Sequence, residues 1–426
     1  MILPFTKDQI EHLTKSYTTP FYIYDEGSIR NTARAFNDAF NWVPGGFKNY
    51  FAVKALPNPY ILEILKEEKF GADCSSLPEL IIADASGMKG EDIMFTSNNT
   101  PLKEFRKAKE LEAIINLDDI KHISFLEKHV GIPEVICFRY NPGSLREGNE
   151  IIGNPVEAKY GLTKEQIFFA YEIVKNKGIK RFGLHNMIVS NMLDINYLTE
   201  TANMSFDLVG EISSKTNIRF EFVNLGGGIG IPYKPEDKPI NLDELSLRIK
   251  KSYEEKIQNK GLGPLQIFME CGRAITGPYG FLISRVRHVT HKYRDFIGLD
   301  ASMADLMRPG MYSRPGNECY HPIIVLGKEN WAKSYIYDVT GSLCENNDKF
   351  AIQRALPKIE EDDLVAIGCA GAHSHAMGFQ YNGKLRSAEF LRKPNGNFKM
   401  IRRAEEPEDY FTTLNFPGSK FSELSK

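Results

Sequence analysis

The sequence predicts an α/β protein: a (β/α)8 TIM barrel followed by a mostly β C-terminal domain. Three observations predict it. Eight short apolar runs recur between residues 50 and 271, at 50–55, 71–75, 92–97, 113–117, 134–140, 181–188, 219–225 and 265–271. Segments of helical period follow most of them, at 76–85, 102–109, 120–128, 164–177, 195–214 and 242–259. Strands alternating with helices in this way form a parallel sheet, and eight such units close into a barrel. After Pro278 the rhythm changes to strand-like runs with little helix between them. The alternative is a doubly wound open sheet, but no G-x-G-x-x-G opens a helix after the first run.

Taken in order, residues 6–16 read as a short amphipathic helix, Phe21-Tyr22-Ile23-Tyr24-Asp25 as a strand, and the chain from Ser28 as a helix. The barrel units follow. The later strand-like runs are at 281–290, 296–299, 322–326, 333–340, 363–370 and 387–393, with a helix expected near 406–413. The expected organisation is an N-terminal segment, 1–26, packing with the C-terminal β domain; a barrel at 27–280; and the β domain at 281–426.

Composition excludes several classes of function. The 426 residues carry a formal net charge of -2, which leaves no electrostatic footprint for nucleic acid or an anionic membrane. No window reaches the apolar length of a membrane span. Met1 to Asp8 has no basic region followed by an apolar core, so a secretory signal is not expected. The six cysteines lie far apart without a CxxC pair, which argues against a metal site or a disulfide framework and for a cytoplasmic location.

The chemistry centres on Asn49-Tyr50-Phe51-Ala52-Val53-Lys54-Ala55-Leu56-Pro57-Asn58-Pro59. An ammonium within such an apolar run is costly to bury. Lys54 therefore points to solvent, pairs with an acid, or is kept for its amine, since a desolvated lysine attacks carbonyl carbons readily. Reactive residues of a TIM barrel gather at the carboxyl ends of its strands, and the unusual residues fall there. Lys54 is near the end of the first run, and Asp73 and Ser75 end the second. Asn98 follows the third, Arg139 ends the fifth, and His185 is in the sixth. Gly226-Gly227-Gly228 closes the seventh, and Glu270-Cys271-Gly272-Arg273 the eighth. Glycines after a strand let backbone N–H groups approach a phosphate, and Arg273 can add a charge-assisted contact. A buried Glu270 needs a cationic or hydrogen-bonding partner, which a protonated pyridine nitrogen would supply. An aldehyde-reactive lysine, a phosphate cup and an acid for a pyridine together describe pyridoxal phosphate.

Tyr50-Phe51-Ala52-Val53-Lys54-Ala55 resembles the YAVKAN motif of the alanine-racemase-like (fold type III) pyridoxal-phosphate decarboxylases. Gly71-Ala72-Asp73, Leu225-Gly226-Gly227-Gly228, Glu270-Cys271-Gly272-Arg273 and Cys344-Glu345, with Asp348 at the spacing of C-E-S-x-D, fit the same family. Asp300 to Tyr312 is similar to the D-A-G-M-N-D-L-x-R-P-x-x-Y segment of the diaminopimelate decarboxylase group. The likeness runs from about Thr19 to Leu391. It implies that Lys54 anchors the cofactor's aldehyde covalently and that Glu270 faces the pyridine nitrogen. Asp73, His185, Ser190, Gly227, Gly228, Cys271, Gly272, Arg273, His373 and Tyr381 complete the cofactor site. Arg273, Arg308, Tyr312, Glu345 and His373 contact the substrate. Cys344 returns a proton to the α-carbon, and Cys344-Glu345 comes from the partner subunit of a homodimer. The implied reaction is conversion of meso-2,6-diaminopimelate to L-lysine and carbon dioxide. The alternatives are another basic amino acid (D-lysine, D-ornithine, ornithine or arginine) and an inactive regulatory paralogue.

Three departures stand out. The family's HxHIGSQ reads His185-Asn186-Met187-Ile188-Val189-Ser190-Asn191, so Met187 stands where a ring-stacking histidine is usual. His185 and Met187 share strand parity, so both can face the interior. The family's GAY reads Gly371-Ala372-His373, leaving His373 or Tyr381 to replace the tyrosine. Leu56 and Cys271 replace the asparagine of YAVKAN and the proline of EPGR.

Overall fold

The computed structural model describes residues 2–149, 151–314 and 318–415. It divides into two compact units, one comprising Ser28–Thr276 and the other Met1–Gly27 with Gly277–Lys426.

The chain's first strand, β1 (Phe21–Asp25), belongs to the second of these units. The strands of the first unit are β2 (Phe47–Ala52), β3 (Gly71–Cys74), β4 (Ile93–Thr96), β5 (Ile114–Leu117), β6 (Val135–Tyr140), β7 (Arg181–Asn186), β8 (Phe220–Asn224) and β9 (Gln266–Met269). They pair in parallel, each with the next, and β9 pairs with β2 to close the barrel. The helices between them begin where local chemistry satisfies their free N–H groups. Thr163 caps Lys164–Asn176 with Gln166 in a reciprocal box. Asn58 caps Pro59–Glu67, with Pro59 at the first turn, where no backbone donor is needed.

The barrel is filled in layers. Tyr50, Met94, Ile114, Val135, Cys137, Phe222 and Phe268 form one buried cluster. Gly183 leaves the space that the Phe222 ring fills, since a Cβ there would meet the ring at 1.9 Å. Side chains two residues further along each strand face the same interior one step nearer the carboxyl ends. This step leads from Met94 to Thr96, Ile114 to Asn116, Cys137 to Arg139, Phe222 to Asn224 and Phe268 to Glu270, all buried. The apolar floor thus dictates where a polar layer stands.

In the second unit the strands are β1, β10 (Gly280–His291), β11 (Asp295–Leu299), β12 (Ile323–Val325), β13 (Tyr335–Thr340), β14 (Lys349–Leu356), β15 (Leu364–Ile367), β16 (Ala388–Arg392) and β17 (Phe398–Arg402). The sheet runs β14-β13-β11-β10-β1-β16-β17, with β15 pairing β10 and β12 pairing β15. The N-terminal β1 lies between β10, antiparallel, and β16, parallel. Its burial on both faces matches its unbroken apolar run. Phe5, Ile10, Phe21, Ile23, Phe281, Ile283 and Phe390 share the core, so truncating Phe390 to alanine would cost about 3–5 kcal/mol. No helix among the described residues is long and apolar enough to cross a membrane.

The strands β14 and β17 were not expected from the sequence. Both lie at the ends of the sheet and alternate irregularly between buried and exposed positions, which breaks the apolar run that marks a strand. The expected helix at 242–259 is α-helical over Leu242–Tyr253 and continues as a π-turn, Glu254–Gln258.

Candidate active site

Lys54 requires a correction. The run at 50–55 is not one strand: β2 ends at Ala52, and Lys54 sits in a 3-10 turn, Val53–Ala55. Its side chain is exposed while both neighbours are buried, so the amine is not desolvated within the strand. The turn swings it out over the barrel mouth, where its charge acts on Asp73, Glu79 and Glu270.

Glu270, just past β9, is buried and triply engaged. Its Oε1 accepts from Asn224 Nδ2 at 2.8 Å, and its Oε2 lies 3.2 Å from His185 Nε2. Its backbone N–H donates to the carbonyl of Gly226 at 2.9 Å. Burial opposes its ionisation, but the contact with His185, reinforced by Lys54 and Arg139, outweighs it and holds the carboxyl below the usual range. Asp73, on β3, goes the other way. Burial and the nearby Glu270 push it well up, with Lys54 opposing. Its Oδ1 is buried without a hydrogen-bond partner among the described residues. Two acids of one layer are therefore driven to opposite protonation states.

His185 is fully buried on β7, its Nδ1 2.7 Å from Asn116 Nδ2. Asn116 thus stands beside one ring nitrogen and Glu270 beside the other. Met187 lies just beyond, its thioether sulfur accepting from Gly227 N–H at 3.3 Å.

The glycine loop is shaped by close approach. Gly226 and Gly228 have φ of 73° and 95°. A Cβ would meet the Asn186 carbonyl at 2.2 Å from Gly226, and the Glu270 carbonyl at 2.6 Å from Gly227. Asn224 Oδ1 accepts from Gly226 N–H at 2.9 Å, so one side chain ties the loop to Glu270. Gly228 receives Met192 N–H on its carbonyl, and Asn149 donates to the carbonyl of Ser190 at 2.5 Å. Cys271 is locked by Asn49, which accepts from its N–H at 2.9 Å and donates to its carbonyl at 3.1 Å; burial lifts its thiol to about 12. Gly272 passes within 2.8 Å of the Ala55 Cβ, measured from where a Cβ of its own would stand. Arg273 is buried and donates to the Tyr233 hydroxyl at 2.6 Å. Arg139 forms a bidentate pair with Asp118, one arm at 2.6 Å, and Asn98 donates to the same carboxylate at 2.6 Å.

Lys54, Asp73, His185, the glycine loop, Glu270, Cys271, Gly272 and Arg273 therefore belong to one unit, at its strands' carboxyl ends. Sequence reasoning did not single out Asn116, Asn224 or Asp118. The available signal was parity: each asparagine stands two residues after an inward apolar residue in an otherwise apolar strand.

Ser190 lies in the same unit, and the remaining expected residues belong to the other. Arg308 is buried on a short helix, Arg308–Tyr312, its guanidinium 5.2 Å from the Tyr312 ring centre. Cys344 is exposed, and its N–H donates to Asn382 Oδ1 at 2.9 Å. Asp348 accepts from the N–H groups of Leu343 and Met303 at 2.8 and 2.6 Å, which fixes the turn carrying Cys344 and Glu345. His373 has φ of 53°, and Tyr381 is exposed on a 3-10 turn, Tyr381–Gly383.

The barrel-mouth residues fit a pyridoxal phosphate. A reachable amine, a carboxylate held ionised and a glycine loop with no room for side chains form one set.

Residues 26–277 match the family model described as pyridoxal-dependent decarboxylase, pyridoxal binding domain. The chain is 38% identical over 405 residues to Protein TabA of Pseudomonas amygdali pv. tabaci, spanning 94% of this chain and 92% of that one. It is 34% identical over 412 residues to the diaminopimelate decarboxylase of Methanothermobacter thermautotrophicus, spanning 96% and 94%. Among solved structures it resembles diaminopimelate decarboxylase from M. jannaschii in co-complex with L-lysine, with TM-score 0.86 and 28% identity, covering 95% of this chain and 94% of that one.

Proposed function

We infer the function from one premise: the chain belongs to the pyridoxal-dependent decarboxylase family. It is a decarboxylase, and its cofactor is pyridoxal phosphate. We propose that its substrate is meso-2,6-diaminopimelate and its products are L-lysine and carbon dioxide. The observation that carries the reading is the joint presence, at the carboxyl ends of the barrel strands, of the Lys54 amine, an ionised Glu270 and the loop at 226–228. The substrate is supported by full-length likeness to proteins named diaminopimelate decarboxylase. It is also supported by the buried Arg308 beside Tyr312. Diaminopimelate carries a distal carboxylate that a guanidinium grips bidentately; a diamino monocarboxylate does not.

When bound, the cofactor supplies an aldehyde that condenses with amines and a ring that accepts the electron pair left as carbon dioxide departs. The chain's own residues do the rest. Lys54 Nζ offers the amine that holds the cofactor and later frees the product. Glu270 keeps a negative charge at the pyridine nitrogen. Gly227, Gly228 and Arg273 lie near the phosphate, His373 or Tyr381 takes the place of the family's tyrosine, and Asp73, His185, Ser190, Cys271 and Gly272 complete the pocket. Arg273, Arg308, Tyr312, Glu345 and His373 orient the substrate so that the α-carboxylate is the group lost. Cys344 Sγ then gives a proton to the α-carbon, acting as a general acid. The working unit is a cytoplasmic homodimer in which a second copy brings Cys344 and Glu345 to each barrel.

One observation favours a second reading, decarboxylation of a different diamino acid: the 38% identity to Protein TabA exceeds the 34% to the decarboxylase. Carbon dioxide release, assayed with added pyridoxal phosphate across meso-diaminopimelate, D-lysine, D-ornithine, ornithine and arginine, separates the two. The proposal expects meso-diaminopimelate to give the highest kcat/KM; a better turnover of any other member overturns it.

A further inference from the structure

Behind Glu270 runs a hydrogen-bond chain that crosses the barrel interior. Asn116 Nδ2, on β5, donates to the hydroxyl of Thr96, on β4, at 3.3 Å. The same Nδ2 lies 2.7 Å from His185 Nδ1. An amide NH2 group has two protons and no lone pair to offer, so it serves both neighbours only as a donor. His185 Nδ1 is then an acceptor and carries no proton. The ring's proton sits on Nε2, 3.2 Å from Glu270 Oε2. Each link fixes the next, because a neutral imidazole has one donor and one acceptor nitrogen.

All of these groups are buried, Asn116 and His185 at 1% and 0% exposure. No water competes for these groups, so the polarity of the chain persists. Asn116 meets the cofactor site of the reading above only through His185.

We propose that Asn116 is a positioning residue that fixes the Nε2–H tautomer of His185 and, through it, keeps Glu270 ionised opposite the cofactor's pyridine nitrogen. The first half depends on the chain's own atoms alone; the second rests on the pyridoxal-phosphate reading. Without the amide donor, Nδ1 is left buried and unpaired, and the ring is free to turn its proton away from Glu270. Glu270 then loses the ring N–H that stands beside its Oε2. With Asn116→Asp, a carboxylate replaces the donor, so His185 is drawn into the doubly protonated state between two acids.

The test is 15N NMR of histidine-labelled holoprotein, with the His185 signals assigned by their loss in His185→Gln. The expected wild-type result is a neutral ring protonated at Nε2. Asn116→Leu, similar in size, is expected to lose that single tautomer and to bind pyridoxal phosphate roughly tenfold more weakly, as when an outer partner of a bound group is removed. Asn116→Asp is expected to give a ring protonated on both nitrogens. A wild-type ring protonated at Nδ1 overturns the proposal without recourse to any variant, because Asn116 would then present its oxygen. Unchanged tautomer and cofactor affinity in folded Asn116→Leu overturns it equally. Failure of the underlying reading looks different: wild-type protein without a cofactor absorption band, whatever the tautomer of its His185.

Discussion

His185 Nε2 and Glu270 Oε2 stand 3.2 Å apart, one at the end of β7 and the other just past β9, with neither side chain open to solvent. The pair makes Glu270 an anion in a place where burial alone would neutralise it. Glu270→Gln keeps the shape and removes the charge. We expect it to retain the cofactor's absorption band but to lower kcat by roughly a hundredfold, the scale typical of losing one preorganised electrostatic partner. Steady-state kinetics with a spectrum of the same sample checks this. A variant with undiminished kcat would separate Glu270 from the chemistry.

Arg308 should divide substrates by charge. A charge-assisted hydrogen bond contributes about 1.5–3 kcal/mol, so Arg308→Ala should raise KM for meso-diaminopimelate about tenfold to a hundredfold. D-lysine, which lacks the second carboxylate, should be affected far less. Equal losses on both substrates would mean that Arg308 supports the fold and does not read the distal carboxylate.

Subunit mixing checks the shared site. Lys54→Ala and Cys344→Ala homodimers should each be nearly inactive. After exchange, half the dimers are hybrids with one intact site of two, so about a quarter of wild-type activity should return. No recovery in a mixture proven to exchange would place both residues' contributions within one copy.

His375 gives a pH prediction free of cofactor. It is buried, its Nε2 3.1 Å from the Ser387 carbonyl and its Nδ1 3.1 Å from Arg386. Burial, opposed by Glu389 but reinforced by Arg386 and Arg402, brings it down to about 4. The unfolded imidazole titrates near ~6.5. Between those values the unfolded chain binds a proton that the folded chain does not, so stability falls as pH falls through that window. The full difference is of the order of 3 kcal/mol. Urea midpoints from about pH 7 to about pH 4 should drop in wild type more steeply than in His375→Gln; parallel curves would contradict it.

Much of this was legible in the sequence because strand period and barrel layering are simple rules. Seven of the eight apolar runs gave their barrel strands to within two residues at either end, the first, 50–55, being three residues late, and the polar residues at their ends gave Asp73, His185 and Glu270. Lys54 was misplaced by one element, because Val53 and Ala55 continue the apolar pattern while the backbone has already turned. Asn116 and Asn224 stayed hidden because a lone asparagine in an apolar run resembles the residue that ends a strand. Only the layer beneath, Ile114 and Phe222, shows that they face inward. Edge strands β14 and β17 were missed because half-exposed strands need no continuous apolar face.

The central claim is that the amine of Lys54 carries the cofactor, and one measurement meets it directly. Purified protein is incubated with pyridoxal phosphate, reduced with borohydride, digested and mapped by mass spectrometry. The account predicts the pyridoxyl-phosphate increment on the peptide containing Lys54, with the visible band bleached, and neither in Lys54→Ala. An increment on another lysine, or none in protein that retains activity, would contradict it.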